Sequence, residues 1–147
     1  SGRAAPGLDA VFESAELELA VRAADYFVIC APLTPQTRGL VDARVLAALP
    51  AHAVVINVSR GALLDHTALE AALRAQRLAG AALDVVDPEP LPPASSLWHC
   101  PRLWITPHVA GHEPSYLAKV FEAFATNVAR LRRGEAALET VSRELEY

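Results

Sequence analysis

Little in this 147-residue chain suits a metal centre or a disulfide framework. It has two cysteines, Cys30 in an apolar run and Cys100 in a proline-rich loop, and neither has metal-ligand spacing around it. No metal is expected. Free thiols of this kind fit a reducing compartment, so a cytoplasmic location is expected. No apolar stretch reaches the roughly 18 residues of a membrane-spanning helix, and no segment reads as a signal peptide. No membrane partner is expected. Basic residues gather nowhere beyond Arg130, Arg132 and Arg133, and the net charge is -4, which disfavours nucleic acid as a partner. Glycine is scarce. The seven glycines stand at 2, 7, 39, 61, 80, 111 and 134, and none forms a G-x-G-x-x-G. There is no internal repeat and no low-complexity tract.

What is present is enough apolar material for a real core: 52% of residues are hydrophobic and 20% charged, a globular balance. Four short apolar runs stand out: Tyr26-Phe-Val-Ile-Cys30, Ala53-Val-Val-Ile-Asn57, Ala81-Ala-Leu-Asp-Val85 and Leu103-Trp-Ile-Thr106. They are apolar at odd and even positions alike, the pattern of parallel strands covered by helices on both faces. Helical patterns lie between them. A helix is expected from Ser14 to Ala24, with Leu17, Ala20, Val21 and Ala24 on one face. Asp42 suits an N-cap for a helix carrying Val45, Leu46 and Leu49 and stopped by Pro50. Leu69, Ala72 and Leu73 stripe the next helix, on whose exposed face Glu70 and Arg74 are spaced for an i, i+4 pair. This alternation predicts right-handed βαβ units and a parallel sheet.

The stretch from Val86 to Pro101 breaks the alternation. It holds Pro88, Pro90, Pro92, Pro93 and Pro101, so no regular structure is expected there. Long ordered loops inside a domain are commonly functional. Beyond it, Pro114 suits a helix first turn. Leu117, Val120, Phe121, Phe124, Val128 and Leu131 recur at spacings of three or four. Arg130, Arg132 and Arg133 favour the negative end of that helix, and Gly134 can close it.

Three charged residues follow three of the apolar runs. Arg60 lies in Asn57-Val-Ser-Arg-Gly61, Glu89 in Asp84-Val-Val-Asp-Pro-Glu-Pro90, and His108 in Thr106-Pro-His-Val-Ala-Gly111. Taken singly, each has a plain reading: an ion pair at a strand end, a surface charge on a turn, a hydrogen-bonded structural imidazole. Open parallel sheets bind ligands beyond the carboxyl ends of their strands, and there the three form a chemically complete set. Reduction of a 2-oxo acid needs a hydride at C2 and a proton on the oxygen. A histidine can supply the proton near neutral pH, and a carboxylate beside it favours the imidazolium. An arginine fork can bind the substrate carboxylate and polarise the carbonyl.

The wording of these segments resembles the D-isomer-specific 2-hydroxyacid dehydrogenase family. Leu49-Pro-Ala-His-Ala-Val-Val-Ile-Asn-Val-Ser-Arg-Gly-Ala-Leu-Leu-Asp65 is similar to its arginine signature, and Pro32-Leu-Thr-Pro-Gln-Thr37 to its cofactor-side loop. Gly80-Ala-Ala-Leu-Asp-Val85 with Glu89-Pro-Leu-Pro92 resembles its glutamate segment. Ser96-Leu-Trp98 and Thr106-Pro-His-Val-Ala-Gly111 resemble the approach to its histidine. The glyoxylate/hydroxypyruvate reductase branch is nearest. Two positions depart from the family wording, His52 and Glu146, and neither bears on the chemistry. The formate dehydrogenase branch is disfavoured because it has an amide where Glu89 stands.

The resemblance implies that Arg60 binds and polarises the substrate, His108 is the acid/base, and Glu89 orients and charges it. Asp84 would hold the nicotinamide carboxamide, and Pro32, Leu33, Val58, Ser59 and Gly111 would line the cofactor. For Leu33 and Val58, ordinary core packing is an equal reading. Arg3, with Ser1, reads either as the remnant of a ribose 2′-phosphate site or as part of a loose terminus. The implied cofactor is NAD or NADP, with a lean to NADP, and the implied substrate is a small 2-oxo or 2-hydroxy acid. The expected fold is α/β, a Rossmann-like parallel sheet flanked by helices and lacking the first βαβ part with its glycine-rich loop. Residues 1–133 would form a partial NAD(P)-binding Rossmann domain, and 134–147 a tail that packs on a substrate domain outside this sequence. The uncovered faces predict a homo-oligomer. Two further classes keep the fold: an NAD-sensing, protein-binding module of corepressor type, and an inactive assembly fragment.

Overall fold

A computed structural model of the chain describes residues 7–141. Arg3, discussed above as a ribose-phosphate contact, lies outside the described residues, as do Ser1 and the tail beyond 141. The described residues divide into two compact units, the first ending at His108 and the second beginning at Val109.

The first unit is built on four parallel strands in the order β1-β2-β3-β4: β1 (Tyr26–Ile29), β2 (Val54–Asn57), β3 (Gly80–Leu83) and β4 (Leu103–Ile105). Each apolar run of the sequence supplies one strand. Between the first three strands lie α2 (Ala43–Ala48) and α3 (His66–Arg74), and α1 (Leu17–Ala20) precedes β1. The expected helix from Ser14 to Ala24 is broken up: α1 is a single turn between two 3-10 turns, Ser14–Glu16 and Val21–Ala23. Asp42 caps α2 as its position predicts, its side chain accepting from the Arg44 and Val45 N–H groups, and the helix ends ahead of Pro50. Asp65 caps α3 by accepting from the Ala68 N–H. The proline-rich loop is not wholly irregular, because Ser96–His99 forms a 3-10 turn whose N-cap, Ser95, accepts from the Leu97 N–H.

Within the first unit, α2 and α3 flank the sheet on one face. Ile29, Val55, Ala81 and Leu83 point into a core shared with Val45, Leu46 and Leu49 of the α2 segment and with Leu69 and Leu73 of α3. The alternate positions look outward: Tyr26 is 69% exposed and Trp104 64% exposed, with Val28 also exposed. Side chains alternate across a strand, and both intervening helices lie against the same side.

The second unit carries α4 (Tyr116–Arg132), ended at Gly134 with φ +73. That backbone conformation suits glycine at a helix end. The Asn127 side chain pairs with both backbone groups of Leu138, at 3.2 and 2.7 Å, and Arg130 Nε donates to the Ala136 carbonyl at 2.8 Å. These bonds fold the segment after Gly134 back along the helix. No residue of α4 is buried; of its apolar stripe Leu117, Val120, Phe121, Phe124 and Leu131 are exposed and Val128 is half-buried.

Candidate active site

The strand register gathers the site. Ile29 pairs with Asn57, Asn57 with Leu83, and Leu83 with Ile105, so all four strands end at one level. The ladder continues one bond further: Val58 N–H donates to Ile29, Asp84 N–H to Asn57 and Thr106 N–H to Leu83. Everything that leaves a strand at its carboxyl end therefore emerges on one edge. Cys30-Ala31-Pro32 leaves β1, Val58-Ser59-Arg60 leaves β2, Asp84 leaves β3 and Thr106-Pro107-His108 leaves β4.

At that edge His108 Nδ1 lies 2.8 Å from Glu89 Oε1. Both side chains are roughly half-exposed. The bond commits Nδ1 to the carboxylate and leaves Nε2 as the ring nitrogen open to another partner. His108 has φ +57, a left-handed backbone for a non-glycine residue. Such a conformation is costly and persists where the surroundings impose it, commonly at functional positions. Glu89 lies between two cis peptide bonds, Asp87-Pro88 and Glu89-Pro90.

The loop that carries Glu89 is anchored at both ends. At its start, the backbone of Val86 runs against Gly61, where an added Cβ would lie 2.1 Å from the Val86 carbonyl carbon. Only a glycine allows that approach, and it ties the Arg60 turn to the Glu89 loop. Further along, the Ser96 hydroxyl donates to Glu70 Oε2 at 2.6 Å, and Arg74 donates to Glu70 Oε1 at 2.9 Å. The Ser96 hydroxyl and the Arg74 guanidinium hold the Glu70 carboxyl below its ordinary range. The i, i+4 pair expected on an exposed face thus serves to clamp the loop. Trp98 Nε1 donates to the Pro92 carbonyl at 2.9 Å, closing the loop on itself.

Asp84 is buried, and one of its oxygens accepts a short bond from the Thr106 hydroxyl. A cavity of about 210 Å³ opens beside Asp84 and Glu89, walled by Val86, Leu91, Trp98 and Ile105. A larger cleft of about 360 Å³ lies between the loop and α3, bordered by His66 and Asp87. The smaller one matters for chemistry, since Asp84, Glu89 and Pro107 line it together. Burial near the larger cleft holds the His66 imidazole below its ordinary pKa against the opposing pull of Asp87 and Asp65.

Arg60 stands on the turn after β2 with its guanidinium exposed, Nη1 donating to the Ser59 carbonyl at 2.7 Å. The Ser59 hydroxyl donates to the Ala31 carbonyl, joining the turns after β1 and β2. Pro32 and Val58 are exposed at this edge, and Leu33 packs partly against the core. Gly111 belongs to the second unit. Sequence reasoning overlooked Asn57, Thr106 and Gly61 as members of this arrangement. All three sit inside the quoted motifs, and for Asn57 the signal was a polar residue closing an apolar run. Among the described residues no group of three or more His, Cys, Asp or Glu could hold a metal ion, and no helix is long and apolar enough to cross a membrane.

Residues 4–110 match the family model described as D-isomer specific 2-hydroxyacid dehydrogenase, NAD binding domain. A curated relative, an uncharacterized protein in the proB 3′ region of Corynebacterium melassecola, is 39% identical over 135 residues, covering 92% of this chain and 44% of its own length. The structure is similar to a D-isomer specific 2-hydroxyacid dehydrogenase from Xanthobacter autotrophicus, solved with NADPH and MES. The TM-score is 0.90 with 37% identity, over 100% of this chain and 60% of that one. It is also similar to an NADPH-dependent glyoxylate/hydroxypyruvate reductase from Sinorhizobium meliloti, solved with NADP and sulfate. There the TM-score is 0.89 with 32% identity, over 100% of this chain and 47% of that one. The chain thus spans 44% of the curated relative and 60% and 47% of these two solved chains.

Proposed function

The chain belongs to the D-isomer specific 2-hydroxyacid dehydrogenase family through its NAD-binding domain, and from that premise we propose that it carries the acid/base and substrate-binding edge of an NAD(P)-dependent reductase of small 2-oxo acids. The observation that carries this reading is the 2.8 Å bond between His108 Nδ1 and Glu89 Oε1 at the carboxyl edge of the sheet.

The residues fit the nicotinamide end of a dinucleotide. Asp84 is a buried carboxylate at the end of β3, already oriented by Thr106, and it borders a largely apolar cavity. It suits the carboxamide, and Pro32, Leu33, Val58 and Ser59 would line the rest. The sequence itself holds no G-x-G-x-x-G turn to receive the pyrophosphate. The relatives solved with NADPH and NADP support the lean to NADP. When bound, the dinucleotide supplies a hydride to C2 of the 2-oxo acid. His108 Nε2 gives a proton to the oxygen as negative charge develops on it. Glu89 keeps the ring in the orientation that presents Nε2. The Arg60 guanidinium leaves its bond to the Ser59 carbonyl to grip the substrate carboxylate and polarise the carbonyl. Glyoxylate and hydroxypyruvate are the substrates favoured by the resemblance and by the Sinorhizobium reductase. We further propose a cytoplasmic homo-oligomer, with residues 134–147 packing on the substrate domain.

The test is NADPH oxidation by the full-length protein with glyoxylate and hydroxypyruvate. Turnover is expected. In Arg60→Lys the substrate KM should rise and kcat should fall together, because an ammonium cannot reproduce a guanidinium fork. Cofactor binding without turnover would favour an NAD-sensing module instead.

A further inference from the structure

Asn57 ends β2 with its side chain fully buried. A buried carboxamide needs partners at both ends. Both come from the next three residues: the Ser59 N–H donates to Oδ1 at 3.1 Å, and Nδ2 donates to the Arg60 carbonyl at 3.0 Å. The strand ladder makes no use of these atoms, since it is the backbone oxygen of Asn57 that accepts from Asp84. One side chain therefore closes the turn Val58-Ser59-Arg60 from inside the core. The same turn sends the Ser59 hydroxyl to the Ala31 carbonyl and presses Gly61 on Val86. Its shape thus governs both the cofactor-side loop and the Glu89 loop.

We infer that Asn57 is the positioning residue for Arg60, its carboxamide setting the turn from which the guanidinium reaches an anionic substrate. The inference rests on the reading of Arg60 as the substrate-binding arginine. A leucine has the same branching at Cγ, though more bulk, and would close nothing. An aspartate would keep the bond from the Ser59 N–H but set a carboxylate oxygen against the Arg60 carbonyl.

Nuclear magnetic resonance on this chain separates positioning from plain packing. In Asn57→Leu, hydrogen exchange at the Ser59 amide should quicken about fivefold, the scale of one neutral hydrogen bond, while the Val55 and Ala81 amides keep their rates. In Asn57→Asp, the Ser59 amide should stay protected while the Arg60 carbonyl carbon and Gly61 amide resonances move. Changes spread evenly through β2 and its neighbours, or a turn that does not move, would overturn the inference and leave Asn57 a core residue. A titration with oxamate, a carboxylate-bearing analogue of glyoxylate, reads the consequence. Oxamate should shift Arg60 resonances in the wild type and bind about fivefold more weakly to Asn57→Asp. Equal binding to both would also overturn it. If oxamate moves nothing in the wild type, the reading of Arg60 falls, and the exchange rates still decide whether Asn57 holds the turn.

Discussion

His108 combines a reactive imidazole with a backbone that histidine adopts at a cost. Its φ of +57 is disfavoured for an L side chain. His108→Gly should therefore keep or raise stability, by about 1 kcal/mol, while lowering kcat by roughly 10²–10⁴-fold. Urea denaturation and NADPH oxidation, measured side by side, check the pair of effects. Loss of both stability and activity would mean that the ring is chiefly structural. His66 offers a second test at this scale. Its Nε2 is buried without a hydrogen-bond partner among the described residues, and burial lowers its pKa from the ordinary 6.5. As pH falls through 6.5 the unfolded chain takes up a proton that the folded chain still refuses, so stability declines from there down through the folded pKa. In His66→Leu that share of the acid sensitivity should vanish. Urea midpoints between about pH 8 and pH 5 should show a flatter profile for the variant, and parallel profiles would count against this assignment.

At the scale of elements, the site depends on how strand ends and loops are joined. Register aligns the four strand ends, and a single missing Cβ lets the Arg60 turn meet the Glu89 loop. Gly61→Ala would put a methyl 2.1 Å from the Val86 carbonyl carbon, with backbone on every near side. The two loops must part. A destabilisation of about 1–3 kcal/mol is expected from such overpacking, together with a rise in substrate KM, because Arg60 and Glu89 no longer share one frame. Thermal unfolding and steady-state kinetics of the full-length variant check this. An unchanged KM would show that the close approach serves packing alone.

For the molecule as a whole, the consequential feature is the sheet face that no helix of the first unit covers. Val28, Ile56, Ala82 and Trp104 lie in one row across the four strands, with Tyr26 beside them. Parallel sheets are ordinarily buried on both faces, and exposed apolar patches with a free strand edge invite association. The isolated chain should therefore self-associate, its apparent mass in light scattering rising with concentration. Trp104→Glu should shift it toward monomer. A monomeric wild type across a wide concentration range would contradict this. The same chain alone should bind NADPH weakly by calorimetry, since it holds no glycine-rich turn for the pyrophosphate.

Local chemistry was legible in the residues themselves. The four apolar runs became strands, Asp42 became a cap and Gly134 a helix end, because periodicity and turn preferences act over a few neighbouring residues. The settings of Arg60, Glu89 and His108 were legible in the same way, as motifs following strands. Which face of the sheet α2 and α3 pack against was not, because that depends on segments remote in sequence. Nor was the fate of Glu70, spaced for a surface pair with Arg74 yet also bound to Ser96, 26 residues away. The inward turn of Asn57, the left-handed backbone of His108 and the approach of Gly61 to Val86 were likewise decided in the fold. Each depends on the space and partners left by chain that arrives from elsewhere, and no local pattern encodes that.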